Sequence, residues 1–142
     1  MASSIPKAYK KEIADTIAAE TLKVALFIST GWVYSSANAA HNTYAAIKAA
    51  GCTEVSSAGT GYTTGGVALA PTSSYITNDA GVFNVATSIS SATFTCRYAV
   101  VYETTGGKIR AVVDLGGDVP VSNGTLTITW DATDGIIKVS SV

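Results

Sequence analysis

Leu126-Thr127-Ile128-Thr129-Trp130-Asp131 alternates strictly. Leu126, Ile128 and Trp130 fall on one side, and Thr127, Thr129 and Asp131 on the other. A period of two means a strand with one face in a core and the other in water. Working back towards the N-terminus, strands are expected at residues 108–115, 93–103 and 82–86, and one more follows at 136–140. Glycine-rich breaks separate them. Gly106-Gly107 is expected to close a hairpin. Gly116-Gly117-Asp118, with Pro120 just beyond, reads as a break in the sheet. Asn123-Gly124 reads as a tight turn, and Asp134-Gly135 as a turn joining the last two strands. The hydroxyl-rich stretch 88–91 is also expected to be a turn.

The N-terminal half is more varied. Residues 22–28 form a strand candidate with Leu22, Val24, Leu26 and Ile28 on one face. Residues 43–50 read as a short helix ended by Gly51. Residues 1–21 form an arm with helical spacing: Pro6 suits a first turn, and Tyr9, Ile13 and Ile17 make an apolar stripe. Lys7, Lys10 and Lys11 sit early and Glu20 late, against the helix dipole, so this helix needs a docking surface. Its own domain and a neighbouring molecule are both open as that surface. The expected architecture is mainly β: an antiparallel β-sandwich or open barrel spanning 22–142, with an N-terminal helical arm over 1–21 and one short inserted helix.

The chain has 142 residues, a size that buries about 70% of its unfolded surface without a metal or disulfide framework. Charged residues make up 13% and the net charge is −1, so no phosphate-tracking surface is indicated. The apolar run 24–28 is too short to cross a bilayer. The N-terminus lacks the basic-then-apolar order of a signal peptide, and export by that route is not expected. Cys52 and Cys96 are wrongly spaced for zinc. Cys96, on the strand face of Phe94, Tyr98 and Val100, reads as a small buried hydrophobe. A Cys52–Cys96 bridge would need an oxidising setting.

Reactive constellations are sparse. His41 is the only histidine, and no Ser sits in a Gly-x-Ser-x-Gly elbow. No catalytic residue, metal site or cofactor is expected. Asp114, Asp118, Asp131 and Asp134 read as turn chemistry rather than a Ca²⁺ site. Gly59, Gly61, Gly65 and Gly66 surround Tyr62 in a segment that lacks the Lys-Ser/Thr and the helix of a phosphate loop. It reads as a turn leading into a strand at 67–69. Arg97 stands alone on an uncharged strand face, where Asp114 or Glu103 could pair with it.

Three stretches together resemble a family of small structural proteins of tailed bacteriophages. They are the 54–66 segment, Arg97-Tyr98-Ala99-Val100-Val101-Tyr102, and the 114–131 run ending in Asn123-Gly124-Thr125-Leu126-Thr127-Ile128-Thr129-Trp130-Asp131. The likeness spans roughly residues 22–137; residues 30–53 depart from it, being longer and richer in alanine. The resemblance implies a virion protein, most simply one that decorates or cements the capsid head in several copies after assembly in the host cytoplasm. Its partners would be the major capsid protein, other virion proteins and copies of itself, with no direct nucleic-acid or membrane contact. The expected contacts are Lys7, Tyr9, Ile13 and Ile17 on the arm, Gly59, Gly61, Tyr62 and Gly65 in the glycine loop, and Arg97. A tail or head–tail joining ring is the second reading. A carbohydrate-binding module stacking sugars on Trp32, Tyr34, Tyr62 and Trp130 is the third.

Overall fold

The computed structural model describes residues 4–84 and 86–140. Its elements run α1 (Lys7–Ala18), β1 (Leu22–Phe27), α2 (Tyr44–Ala50), β2 (Val67–Ala68), β3 (Thr72–Ile76), β4 (Asp79–Phe83), β5 (Thr87–Glu103), β6 (Ile109–Ile128) and β7 (Ile137–Val139). They build two open antiparallel sheets, β2-β1-β5-β6 and β3-β4-β7. The fold is mainly β, with an N-terminal helix and one short inserted helix, as the alternation and turn signals suggest.

The centre of the larger sheet, β1 with the second half of β5, is buried on both faces. Leu22, Val24, Leu26, Ala99 and Val101 point into one core. Ala25, Phe27, Val100 and Tyr102 point into a second, roofed by Ile47 of α2 with Trp32, Tyr34 and Tyr44. This is why β1 reads as a nearly continuous apolar run. Phe27 is fully buried, a gain of about 1.5–3 kcal/mol over an exposed ring.

The hairpin of β5 and β6 departs from its expected form. Residues 108–115 and 125–131 are not separate strands: β6 runs unbroken from Ile109 to Ile128. Gly116 (φ +85°) and Asn123 (φ +47°) lie within it. Turn residues and bulge residues share the same conformational requirement, so the sequence signal is common to both. Pro120 pairs with Thr95 inside the ladder, which an edge strand tolerates. The stretch 88–91 is likewise part of β5, with Ser91 at φ +52°. Straight, the 17 residues of β5 would span about 56 Å, too long for one core. Register shifts at Ile89/Ala92, Ala92/Phe94 and Cys96/Tyr98 bend it. Its first half then joins Leu22, Val24 and Leu26 through Ile89, Ala92 and Cys96. The last shift also corrects the expected face of Cys96. Phe94 and Cys96 enter the first core, while Tyr98 and Val100 enter the second. Both cysteines are buried and free.

The smaller sheet is only partly legible in the sequence. The strand expected at 82–86 is β4, starting at Asp79 and ending at Phe83; Val85 lies outside the described residues. The turn at Asp134-Gly135 forms, with Asp131 and Gly135 bridged, but β7 pairs with β4 rather than with β6. Helix α1 packs on this sheet, its Ala14, Ile17 and Ala18 against Ala80, Val82, Ile137 and Val139. The buried face is centred on Lys10 and Ala14, so the stripe of Tyr9, Ile13 and Ile17 is offset from it. Lys10 enters because its ammonium donates to Asp79 Oδ1 at 2.7 Å and to the Asn78 carbonyl at 3.0 Å. The helix has no side-chain cap, no acid in its first turn and no base in its last. Docking therefore supplies what its own sequence does not.

Candidate functional site

The most concentrated polar cluster joins the glycine loop, α2 and the larger sheet, and Glu54 is its centre. Thr43 caps α2 by accepting from Ala46 N at 3.1 Å, which projects Tyr44 and Lys48 from successive turns. The Phe27–Glu54 bridge sets Glu54 beside the end of β1. Its side chain is 4% exposed. Tyr62 Oη donates to Oε1 at 2.7 Å, as does Gly65 N at 2.7 Å. Lys48 Nζ reaches Oε2 at 2.8 Å, and the Tyr44 hydroxyl donates to the same oxygen. Tyr62 Oη in turn accepts from Leu26 N at 3.0 Å. Tyr102 Oη donates to the Gly65 carbonyl at 2.6 Å, and its ring stacks on Tyr44 at 4.5 Å. A buried carboxylate thus ties loop, helix and sheet together.

Electrostatics fixes its protonation. Burial pushes Glu54 upward, but the hydrogen bonds from Lys48, Tyr44, Tyr62 and Gly65 outweigh it and hold the carboxyl below its usual range. Burial, and then the neighbouring carboxylate, raise the hydroxyls of Tyr44 and Tyr62. The group holds one settled charge pattern near neutrality: Glu54 ionised, the tyrosines protonated. Such a cluster ties loop, helix and sheet together through charge-assisted hydrogen bonds. Beside it opens a cleft of about 400 Å³, rimmed by Lys48, Ser56, Ser57 and Thr64.

The glycines of the loop are there for fit. A Cβ on Gly66 would stand 1.9 Å from the Val24 carbonyl oxygen, and one on Gly61 2.3 Å from that of Ser91. Gly59 meets nothing within 4 Å, so its φ of +69° alone requires glycine there.

The expected contact residues fall in three separate places. Lys7 and Tyr9 are exposed on different sides of α1, with Lys7 Nζ 4.7 Å from the Tyr75 ring centre. Ile13 is half-buried, and Ile17 packs inward. Gly59 and Gly61 lie on the exposed loop, and Gly65 is half-buried in the Glu54 cluster. Tyr62 is 3% exposed; its ring packs edge-on against Phe94 and is not on the surface. Arg97 sits at the β5 bulge, its guanidinium bound through Nε and Nη2 to Asp114, both at 3.2 Å. Of the two partners expected for it, Asp114 is the one used. Glu103 instead accepts from the backbone of Thr105, Gly106 and Lys108 at the hairpin turn.

Of the aromatic residues considered for sugar stacking, Trp32 and Tyr34 are neighbours, their ring centres 5.8 Å apart, while Tyr62 and Trp130 lie elsewhere. Trp32 stacks on Tyr98 at 3.9 Å, Tyr62 is buried, and Trp130 packs against the first core. His41 Nδ1 accepts from Ser35 N at 3.0 Å within its own loop. Asp131 accepts from the backbone N–H groups of Thr133 and Asp134, as turn chemistry requires. Burial, with Asp118 nearby, pushes the Cys96 thiol up to about 11. Among the described residues no three metal-ligating side chains converge, and no helix is long and apolar enough to cross a membrane.

Sequence reasoning missed the Glu54 cluster. One signal was present: Glu54 is the only acid between Glu20 and Asp79. A lone carboxylate flanked by apolar and hydroxyl residues needs partners if it is buried. Compared with known proteins, the chain matches no family model, no curated protein and no solved structure.

Proposed function

We propose that this chain is a virion structural protein that decorates or cements a bacteriophage capsid through protein–protein contacts. One observation carries the reading. The charged and phenolic groups of the Glu54 cluster are spent on holding the 59–66 loop rigidly to the sheet. What that loop turns outward is small and uncharged: Gly59, Gly61, Thr63 and Thr64 are exposed. A stiff, hydroxyl-rich rim suits contact with other polypeptides, because little side-chain entropy is lost on docking. The likeness of the 54–66 and 114–131 stretches to small phage structural proteins supports the same reading. Modest interfaces suffice when many copies act together on one lattice.

The test is copy number, measured by quantitative mass spectrometry of purified phage particles. Decoration requires on the order of hundreds of copies per particle, set by the symmetry of the head. A count of about six or twelve would mean a joining ring instead. Absence from the particle would end the proposal.

A further inference from the structure

The loop between β1 and α2 is wound around one ring. His41 Nδ1 accepts from Ser35 N at 3.0 Å, and its Nε2 stands 3.2 Å from Asn38 Nδ2. Asn38 Oδ1 accepts from Ala40 N at 3.0 Å, which leaves the amide nitrogen facing the ring. Two backbone turns close the loop, Asn38 N donating to the Ser35 carbonyl and His41 N to that of Asn38. Both ring nitrogens therefore face donors. A neutral imidazole has one lone pair to offer, and an imidazolium has none. The backbone N–H of Ser35 cannot turn aside, whereas the Asn38 amide can. The lone pair therefore belongs at Nδ1 and the ring proton at Nε2.

We propose that His41 is a proton-sensitive latch: its neutral ring holds residues 35–41 closed, and protonation releases them. Imidazole side chains change charge between about pH 5 and 8. A proton taken up at Nδ1 converts the acceptor of Ser35 into a second donor facing it. Closure is thus complete at the upper end of that window and is lost as pH falls through it. Among the described residues no carboxylate pairs with the ring to offset the loss. The titratable side chains packed around it are Tyr34, its ring centre 6.2 Å away, and, through Trp32, Tyr98 and Arg97 of β5. Arg97 is held by Asp114, and Lys48 of α2 by Glu54. Lys108 bridges Thr43 beyond the loop. The release is bounded on both sides. Trp32 stays stacked on Tyr98 at 3.9 Å, and the Asn42 carbonyl keeps Ile109 N at 3.0 Å. The protonated ring keeps its place on Tyr34, since cations favour aromatic faces. What opens is the turn itself, whose residues 35–40 are all exposed. This surface loop has one shape above the window and several below it. The latch rests on this geometry and not on the assembly reading above.

The experiment is nitrogen NMR of the purified full chain, stepped from about pH 8 to about pH 5. His41 is the only histidine, so its ring signals are unambiguous. At the upper end the ring should carry its proton at Nε2; a ring protonated mainly at Nδ1 overturns the proposal. Solvent exchange of the Ser35 amide, corrected for the intrinsic effect of pH, gives the second readout. Its protection should fall about three- to tenfold across the window, the weight of one net hydrogen bond. The Ile109 amide, bound to Asn42 just beyond the loop, should keep its protection and reports that the fold is intact. Two variants separate the latch from a general loosening. His41→Asn sets an amide oxygen where Nδ1 stands and does not titrate, so Ser35 should stay protected at both ends. His41→Ala should leave Ser35 unprotected at both. A Ser35 amide indifferent to pH in the unmodified chain, or a pH response that survives in His41→Asn, overturns the proposal. Every arm uses the isolated chain, so its failure leaves the particle copy count to stand or fall separately.

Discussion

Among the described residues, two ion pairs each have one buried member and hold it in different ways. Glu54 sits where the glycine loop, α2 and the larger sheet meet, with four donors on its two oxygens. Lys10 sits where α1 meets the smaller sheet, and its partner Asp79 keeps 22% of its side-chain exposure. Around Glu54 the packing is large and aromatic: Phe27, Trp32, Tyr44, Tyr98 and Tyr102. Around Lys10 it is mainly alanine and valine. The first pair is a keystone whose loss strands several buried donors. The second is a tether whose loss leaves a carboxylate that water can reach. Burial of a charge is thus no measure of its structural weight; the number of groups left unpaired without it is.

The largest effect should follow from Glu54→Ala. It leaves two phenols and the Gly65 amide without their acceptor, while Lys48, 37% exposed, keeps the Tyr44 hydroxyl and water; the unsatisfied groups should together cost about 3–5 kcal/mol in urea unfolding. A loss no larger than that of Lys10→Met would break the comparison. Next comes Gly66→Ala, which drives a Cβ into the Val24 carbonyl at a positive φ. It should cost about 3 kcal/mol or more, combining overpacking with left-handed strain. Gly59→Ala, in the same loop with open space around it, should cost only about 1–2 kcal/mol for the conformation. Equal losses at the two glycines would mean that the loop is not seated on the sheet as described. Lys10→Met should cost about 1–2 kcal/mol, since the methionine keeps the packing and Asp79 stays partly hydrated.

The smallest effect is in the pH profile. Glu54 is held below its ordinary value of 4.5 when folded. Below about pH 4.5 the unfolded chain therefore binds more protons, and stability rises with pH in that window. The contribution is full above it and is lost as pH falls through the folded value. Glu54→Gln should flatten the acid limb of the stability curve relative to the unmodified protein. Chemical unfolding at stepped pH reads this out, and an unchanged slope would remove Glu54 from the acid response.

The same contrast explains what the sequence disclosed. Local signals were legible. The apolar run of β1, the Gly51 stop of α2, and the Gly106-Gly107 hairpin each depend on neighbours in the chain. Arg97 and Asp114 could be matched because adjacent strands carry them. Glu54 was not legible as a hub, because Tyr62 and Tyr102 reach it only once the sheet has formed. Lys10 was hidden because its partner lies 69 residues away. Strand β3, Thr72-Ser73-Ser74-Tyr75-Ile76, lacks the apolar alternation that marks a strand. β6 was cut in two because Gly116, Pro120 and Asn123 carry the same residue types as a turn, and only the opposing strand shows that they are bulges and an edge.

The most direct test of the assembly reading is a cryo-electron-microscopy map of the phage particle at side-chain detail. Density for this fold repeated over the head lattice, with the outward rim of the 59–66 loop against a capsid subunit, is the predicted result. Density confined to the tail, or none anywhere in the particle, would contradict it.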